Sequence, residues 1–239
     1  MNLLVRALSV TATALALIFV ARDADAARPL ITDDARVVDA NSCQVESWVR
    51  RDRSHTEVWA LPGCNFGGDM EFTLGGQARE DGDSSRQLVV QAKALLKPME
   101  TNGWGAAVAV GHVRHSGIKG GKVERDFYVN VPLSKSLFED SLALHANVGW
   151  LREGETSKNR ATWGLAAEIQ VDSRVSLIAE AFGQLSRESQ YQVGIRFWAI
   201  PDRMQIDTTY GNSFGRAGSG DQARWFSIGL RLLSPAFLP

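Results

Sequence analysis

The stretch Ser141–Trp150, SLALHANVGW, decides the fold class of this chain. Its even-numbered residues are all apolar, whereas its odd-numbered residues are small or polar. A side-chain period of two is typical of a β-strand, because successive side chains point to opposite sides of the backbone. The stretch is therefore predicted to be a strand with one wholly apolar face.

The same alternation returns along most of the chain, between turns rich in Gly, Asp, Ser and Pro, and no long stretch has a helical period of about 3.6 residues. Strands are predicted to begin near Cys43, Thr56, Asp69, Arg86, Gly103, Arg125, Ser141, Arg160, Arg174, Gln190, Arg203 and Arg224. An even strand number is typical of bacterial membrane barrels. The predicted fold is all-β, a transmembrane antiparallel up-and-down β-barrel of about twelve strands.

The second face of the strands favours a membrane barrel over a soluble β-sandwich or a soluble closed barrel. A solvated outer face would be dense in Lys, Glu and Thr, but this face carries small residues such as Gly149, Gly164, Ala166, Gly194 and Gly211 among isolated charges. Such a face fits a confined lumen, and the apolar face then meets lipid.

The first 26 residues are predicted to be a cleaved secretory signal peptide. Arg6 supplies the positive charge, residues 7–21 form the apolar run, and Ala24-Asp25-Ala26 forms a small-x-small cleavage site. The apolar run is about fifteen residues, short of the roughly twenty that a membrane-spanning helix needs. We expect residues 27–42 to be a periplasmic N-terminal segment and residues 43–239 to be the barrel domain of an exported, Gram-negative outer-membrane protein.

Composition excludes other classes. The chain has 26 basic and 27 acidic residues, so it is not expected to bind nucleic acid. No second apolar stretch is long enough for a membrane-spanning helix, which excludes a multi-span helical protein.

The two cysteines are predicted to form a disulfide. If the first two strands form a hairpin that turns at Arg53-Ser54, Cys43 lies directly opposite Cys64. Opposed strand residues have Cβ atoms about 4.5 to 5.5 Å apart, close to the range that a disulfide needs. Two free thiols are the alternative, because a bulge at Pro62 would break this register.

The alternation also selects the polar residues that line the lumen. The predicted lumen-lining set is Glu46, Glu71, Lys93, Asp126, Asn130, His145, Asn147, Glu168, Glu180, Arg196, Asp207 and Arg231, with Gln170 and Gln205 on the same face. Charges in a narrow, partly dehydrated lumen must be paired. Paired charges could plug the interior, or could line a narrow pore that orients a small solute.

Catalysis is a weaker hypothesis. Membrane-barrel lipid hydrolases need a serine, a histidine and a polar partner in hydrogen-bond reach. Ser116 directly follows His115, so the two side chains would point to opposite faces of a strand, and no serine is evidently placed with His145 and Asn147. His112 and His115 are three residues apart, a helical spacing for metal ligands. We therefore expect no enzyme activity, no metal and no cofactor.

Two other segments indicate partners. The last strand, residues 225–233, lies near the chain end, where outer-membrane proteins carry the signal for the barrel-assembly machinery, although the chain runs on to Pro239. Lys119 and Lys122 lie in a Gly-rich outer loop, residues 117–122, whose lysines could touch lipopolysaccharide phosphates. Outer-membrane lipid, lipopolysaccharide and the assembly machinery are the expected partners.

The start of the mature chain resembles a known family. Residues 28–35, RPLITDDA, and residues 44–48, QVESW, resemble the opening of the outer-membrane family named for the "MetA pathway of phenol degradation". The later segments Glu180–Gly183 and Gln205–Asp207 extend the resemblance over most of the chain, whereas Asn41-Ser42 and the cysteine pair depart from it. The resemblance implies an exported barrel related to transport.

The predicted function is thus a passive channel or transport-related barrel for small molecules, with hydrophobic or aromatic ones implied by the resemblance. A closed structural or ligand-binding barrel is the alternative, and a lipid hydrolase is the third hypothesis.

Overall fold

The computed structural model describes residues 30–80, 85–116, 123–185, 187–215 and 224–239. The predicted signal peptide, residues 1–26, and the Gly-rich loop, residues 117–122, lie outside the described residues. Within the described part of the chain, no helix is long and apolar enough to cross a membrane.

Twelve strands make up the fold. They are β1 (Ser42–Arg51), β2 (Thr56–Asn65), β3 (Met70–Glu80), β4 (Ser85–Lys97), β5 (Trp104–Ser116), β6 (Glu124–Leu137), β7 (Leu142–Arg152), β8 (Asn159–Gln170), β9 (Val175–Gln184), β10 (Gln190–Ile200), β11 (Met204–Ser213) and β12 (Trp225–Leu233). Each strand pairs antiparallel with its neighbours in sequence, and β1 pairs with β12, which closes the barrel. The predicted twelve-strand antiparallel barrel is confirmed, and every predicted strand start is within one residue of the observed one.

The exterior of the barrel is apolar. Val148 is exposed on the outside of β7, the strand formed by the stretch quoted first, and Leu165 is exposed on the outside of the neighbouring β8. Four aromatic residues are also exposed and lie towards the same end of the barrel, namely Phe127, Trp150, Tyr210 and Phe226. An apolar band bordered by aromatic side chains is the surface that a lipid bilayer requires of a barrel.

The two ends of the barrel differ. The start of β1, the end of β12 and five short turns lie at one end, which we call the terminal end. The opposite end, where β1, β3, β5, β7, β9 and β11 end, is called the loop end, and the longest interval in sequence between two strands, residues 214–224, follows β11. Short periplasmic turns and longer outer loops are the usual arrangement of a bacterial barrel.

The β1–β2 hairpin has the predicted register. Cys43 pairs with Cys64 and Val49 with Val58, and Pro62 causes no bulge against β1. Cys43 and Cys64 form the predicted disulfide at the terminal end. The alternative of two free thiols is therefore wrong.

Candidate functional site: a lumen closed by the N-terminal segment

Residues 30–41, which we call the inserted segment, lie inside the barrel. Leu30, Thr32, Asp34, Ala35 and Val38 are all buried, although the segment belongs to no strand. Its contacts reach β2 and β3 on one side of the lumen and β8 and β9 on the other. The segment therefore crosses the barrel, close to the terminal end.

The wall of the barrel satisfies the first backbone groups of the inserted segment. The Glu180 carboxylate accepts hydrogen bonds from the backbone N–H groups of Ile31, at 2.8 Å, and Thr32, at 2.8 Å. Leu30 packs against Ala166 and Ile178. Because a buried backbone N–H without a partner is costly, these contacts fix the position of the segment.

The middle of the segment is held in the same way. The Asn147 side chain accepts a hydrogen bond from the Asp33 N–H and donates one to the Asp33 carbonyl, both at 2.7 Å. The Ser134 hydroxyl accepts a hydrogen bond from the Ala35 N–H at 2.8 Å. Lys93 Nζ lies 2.9 Å from Asp33 Oδ1 and 3.2 Å from Asp34 Oδ1, so its ammonium joins the segment to β4.

The end of the segment leads into β1. Val38 donates its backbone N–H to Glu71 at 2.8 Å, and its carbonyl accepts a hydrogen bond from Asn65 at 2.8 Å. The Gln44 amide donates to the same Glu71 carboxylate at 3.1 Å. Side chains from six strands, β2, β3, β4, β6, β7 and β9, therefore hydrogen-bond to the inserted segment between Ile31 and Val38.

A paired charge cluster fills the part of the lumen beside β7 to β11. Arg196 Nη1 lies 2.6 Å from Glu168 Oε2, and Arg196 Nε lies 2.8 Å from Asp207 Oδ1. Gln205 donates a further hydrogen bond to Asp207 at 3.0 Å. Arg196, Gln205 and Asp207 are almost completely inaccessible to solvent. This side of the interior is a plug of side chains rather than an open pore.

A cavity of about 550 Å³ lies beside the inserted segment, which forms one of its walls. Apolar and aromatic side chains line much of the cavity, namely Trp59, Leu61, Val89, Val113, Leu151 and Phe182. Trp59 stacks on Trp48, with ring centroids 5.2 Å apart. We call this cavity the vestibule, and its apolar lining the collar.

Glycines make room for the aromatic rings on the inner wall. A Cβ at Gly111 would overlap the Tyr128 ring, and one at Gly211 would overlap the Trp225 indole. The Tyr128 hydroxyl donates a hydrogen bond to Gln91 Oε1 at 2.6 Å. The Trp225 indole lies near Phe182, with ring centroids 6.5 Å apart. The vestibule consequently offers both apolar surface and hydrogen-bonding groups.

Polar pairs surround the loop end of the lumen. His115 Nε2 lies 3.0 Å from Asp126 Oδ2, and Asp126 also accepts the Gly154 N–H at 2.7 Å. Glu153 is paired with Arg187 at 2.7 Å and with Arg160 at 3.4 Å. A solute that enters from this end meets paired charges first and the apolar collar next.

Comparison with known proteins identifies the family. Residues 14–233 match the family described as "Uncharacterised conserved protein UCP029691". The chain belongs to this family. No curated protein matches the chain. The family shown is therefore UCP029691, and the name of the phenol-degradation family is not confirmed.

Solved membrane channels share the fold of this UCP029691 member. The COG4313 outer membrane channel from Pseudomonas putida F1 superposes with a TM-score of 0.63 at 8% identity, over 86% of this chain and 100% of that chain. The KdgM porin gives a TM-score of 0.58 at 10% identity, over 79% and 98% of the two chains. The NanC porin gives 0.55 at 11% identity, over 80% and 98%. These similarities place this barrel in the architecture of outer-membrane channels.

The structure places all twelve predicted lumen residues on the inner wall of this barrel. Glu46, Glu71, Lys93, His145, Asn147, Glu168, Glu180, Arg196, Asp207 and Arg231 are buried, and Asp126 and Asn130 are partly buried nearer the loop end. Four of the twelve bind the inserted segment, namely Glu71, Lys93, Asn147 and Glu180. Whether any of the twelve meets a solute stays a prediction.

Sequence reasoning did not show that residues 30–41 cross the lumen. The expected compartment of the 27–42 segment stays a prediction, but its described part contacts the inner wall rather than lying beneath the barrel. The aromatic collar was missed as well. A signal for it was present, because Trp48 has the same parity as Glu46 on β1 and therefore shares its face, and its hairpin partner Trp59 belongs to the collar.

The residues considered for catalysis are separated or sealed. His112 lies against Phe127, which is exposed on the outer face, whereas His115 pairs with Asp126. A serine does lie beside His145, contrary to our reading of the sequence: Ser134 Oγ is 2.7 Å from His145 Nδ1. That hydroxyl also accepts the Ala35 N–H and is buried. Ser134 therefore joins the inserted segment to His145, and both side chains are buried.

Asp34 makes the insertion sensitive to acid. Burial acts to raise the pKa of Asp34, but the charges of Lys93 and Arg36 outweigh burial and lower the pKa from 3.8 to about 2. A lowered pKa means that the ionised carboxylate stabilises insertion above about pH 4, and that this stabilisation is lost as the pH falls through about 2.

We expect the mean current through the wild-type barrel in planar bilayers to rise as the pH falls from 4 to 2, because loss of the Asp34 charge would release the inserted segment. In Asp34→Asn, which has no carboxylate to protonate, the current should already be raised at pH 5. The currents of the two proteins should converge near pH 2. A wild-type current that rises with a midpoint at pH 4 or above would contradict the lowered pKa.

Proposed function

We propose that this barrel is a passive outer-membrane channel for small molecules that carry an apolar or aromatic part. The observation that supports it is the vestibule: a cavity of about 550 Å³, lined by the collar and closed on one side by the inserted segment, which belongs to no strand. Hydrophobic and aromatic linings with a few polar groups are typical of sites that bind small molecules.

The membrane placement rests on the exterior and on the chain start. The outer face is apolar, and strands of 9 to 14 residues are long enough to cross a bilayer when tilted. The predicted signal peptide would export the chain, and the barrel-assembly machinery would insert it. The loop end would then face outward, with lipopolysaccharide around the outer loops, and the terminal end would face the periplasm.

The collar supports the choice of solute. The charges of Lys93 and Arg196 are paired with carboxylates, so they do not attract an ionic solute strongly. Trp59 and Phe182 instead offer aromatic surface, beside the hydroxyl of Tyr128 and the amide of Gln91. A neutral molecule with a ring and hydroxyl groups fits both surfaces.

The proposal is tested by comparing the binding of two neutral solutes, phenyl β-D-glucoside and glucose, which differ by a phenyl ring. Binding is measured by saturation-transfer NMR with the barrel in lipid nanodiscs. We expect the phenyl glucoside to bind and glucose to bind much more weakly. Phe182→Ala and Trp59→Ala should each weaken phenyl glucoside binding about fivefold, because an aromatic contact contributes about 1 kcal/mol.

Trp150→Ala is the matched control, because it removes a tryptophan exposed on the outer face. Its affinity for phenyl glucoside should equal that of the wild type. Equal binding of the two sugars, or equal losses in Trp59→Ala and Trp150→Ala, would refute the selectivity.

A closed binding barrel is the second candidate, and the inserted segment favours it. If the segment never leaves, the vestibule binds a solute without passing it on. Planar-bilayer conductance separates the two functions: a channel shows opening events that phenyl glucoside interrupts, whereas a closed binding barrel shows none.

A further inference from the structure

The lipid-facing surface of the barrel has a long depression. It has a volume of about 890 Å³ and extends over the outer faces of β5 to β10. Small side chains lie within it, namely Ala146, Ala167, Ala179 and Ala181, between the larger side chains of Leu133, Leu144, Leu165 and Val193. We call it the alanine groove.

The register of the strands gives the groove its direction. Trp104 pairs with Lys135, Lys135 with Leu144, Leu144 with Ala167 and Ala167 with Ala179, which itself pairs with Val193 on β10. Trp104 is the first residue of β5, at the terminal end, whereas Val193 lies near the loop end of β10. The groove therefore rises diagonally from the terminal end towards the loop end, over five strand spacings of about 4.8 Å each.

Two ammonium groups lie where the groove reaches the terminal end of the barrel. Lys135 Nζ donates a hydrogen bond to the Asn102 carbonyl at 2.9 Å, and Lys97 Nζ donates one to the Trp104 carbonyl at 2.8 Å. Lys97 Nζ also lies 4.7 Å from the centre of the Trp104 ring. Each ammonium has three donors, so these contacts leave donors available on both.

No carboxylate neutralises these lysines among the residues that the structure describes. The nearby Asp140 instead accepts hydrogen bonds from the Ser136 and Thr101 hydroxyls. Two unpaired cations next to an exposed tryptophan, at the edge of an apolar surface, match the interfacial position of a lipid headgroup.

We propose that the alanine groove binds one anionic glycerophospholipid, with an acyl chain along the alanines and the phosphate at Lys97 and Lys135. The lining of the groove is almost entirely apolar, which suits an acyl chain, and the two ammonium groups match the charge of the headgroup. The inference rests on the membrane placement but not on transport.

A second copy of the chain fits the groove less well. A symmetric dimer joins the same patch of both subunits, so that patch must be self-complementary, and two concave surfaces leave a void between them. Such a dimer would also bring Lys97 and Lys135 of both copies to the same depth in the membrane, without carboxylates to separate them.

Native mass spectrometry of the full barrel tests the proposal. The probes are phosphatidylglycerol and phosphatidylcholine with identical acyl chains, added in turn at equal concentration. We expect one phosphatidylglycerol to be retained about tenfold more than phosphatidylcholine. The double variant Lys97→Gln with Lys135→Gln should remove this preference, and Ala167→Phe with Ala179→Phe should reduce retention of both lipids.

Lys158→Gln, in a loop-end connection, and Ala92→Phe, on β4, are the matched controls and should retain lipid as the wild type does. Heat-modifiable migration on gels verifies that each variant is folded, and the lysine variants test the proposal even if the phenylalanine variants do not fold. Equal retention in all folded variants would overturn the proposal. So would a wild-type dimer that Ala179→Phe converts to a monomer, because the groove would then be an interface between copies.

Discussion

Replacing Arg196 by alanine should lower the free energy of unfolding by about 3–5 kcal/mol, the range for removing one partner of a buried ion pair. Arg196 lies 2.6 Å from a Glu168 oxygen and 2.8 Å from an Asp207 oxygen, and all three side chains are buried. Without the guanidinium, two carboxylates would share a dehydrated site. Urea-induced unfolding of the barrel in liposomes measures the loss.

Two further variants make this result specific. Arg174→Ala removes an exposed arginine from a turn, and we expect it to change the free energy of unfolding by less than about 0.5 kcal/mol. Arg196→Met combined with Glu168→Gln and Asp207→Asn removes the charges together and should recover much of the loss. A loss below about 1 kcal/mol in Arg196→Ala would show that the cluster is not the dehydrated ion-pair site described above.

Replacing Lys93 by alanine should open the channel. Lys93 binds both Asp33 and Asp34, so its removal leaves two carboxylates of the inserted segment beside Glu71 in the lumen. Loss of a buried ionic partner costs about 3 kcal/mol or more, which would shift the population of inserted and released segments by about 100-fold. The open fraction in planar-bilayer recordings should rise accordingly.

The controls separate release of the segment from general damage. Asp33→Asn with Asp34→Asn removes the other side of the same contact and should open the channel too. Lys158→Ala removes an exposed loop-end lysine and should leave the closed state unchanged. If neither Lys93→Ala nor the double asparagine variant conducts more than the wild type, the inserted segment does not close the channel.

The sequence predicted the strands well because a barrel strand has a simple local signature. Each outward residue must meet lipid and each inward residue must not, so alternation and turn residues fix both the strand and its face. The cysteine pair fixed the register of one hairpin, since Cys43 and Cys64 can bond only when directly opposed. These signals lie within single strands or neighbouring strands.

The parts of the site that were missed depend on distant contacts. Residues 30–38 have no periodicity, and the groups that hold them lie far along the chain: Glu180 is 149 residues from Ile31, and Asn147 is 114 residues from Asp33. Ser134 reaches His145 only because β6 and β7 pair in one particular register. The partners of the inserted segment could not be assigned before the strands were placed in the barrel, whereas Ser134 and His145, 11 residues apart, needed only the register of one hairpin.

By itself, the sequence determined the strand number, the apolar exterior, the polar interior and the disulfide, because each follows from the period of a strand or from one hairpin. The tertiary structure alone decided how the lumen is used. The barrel brings together side chains that are distant in sequence, such as Arg196 with Glu168 and Lys93 with Asp33, so the tertiary structure shows which of these charges pair with each other and which bind the inserted segment.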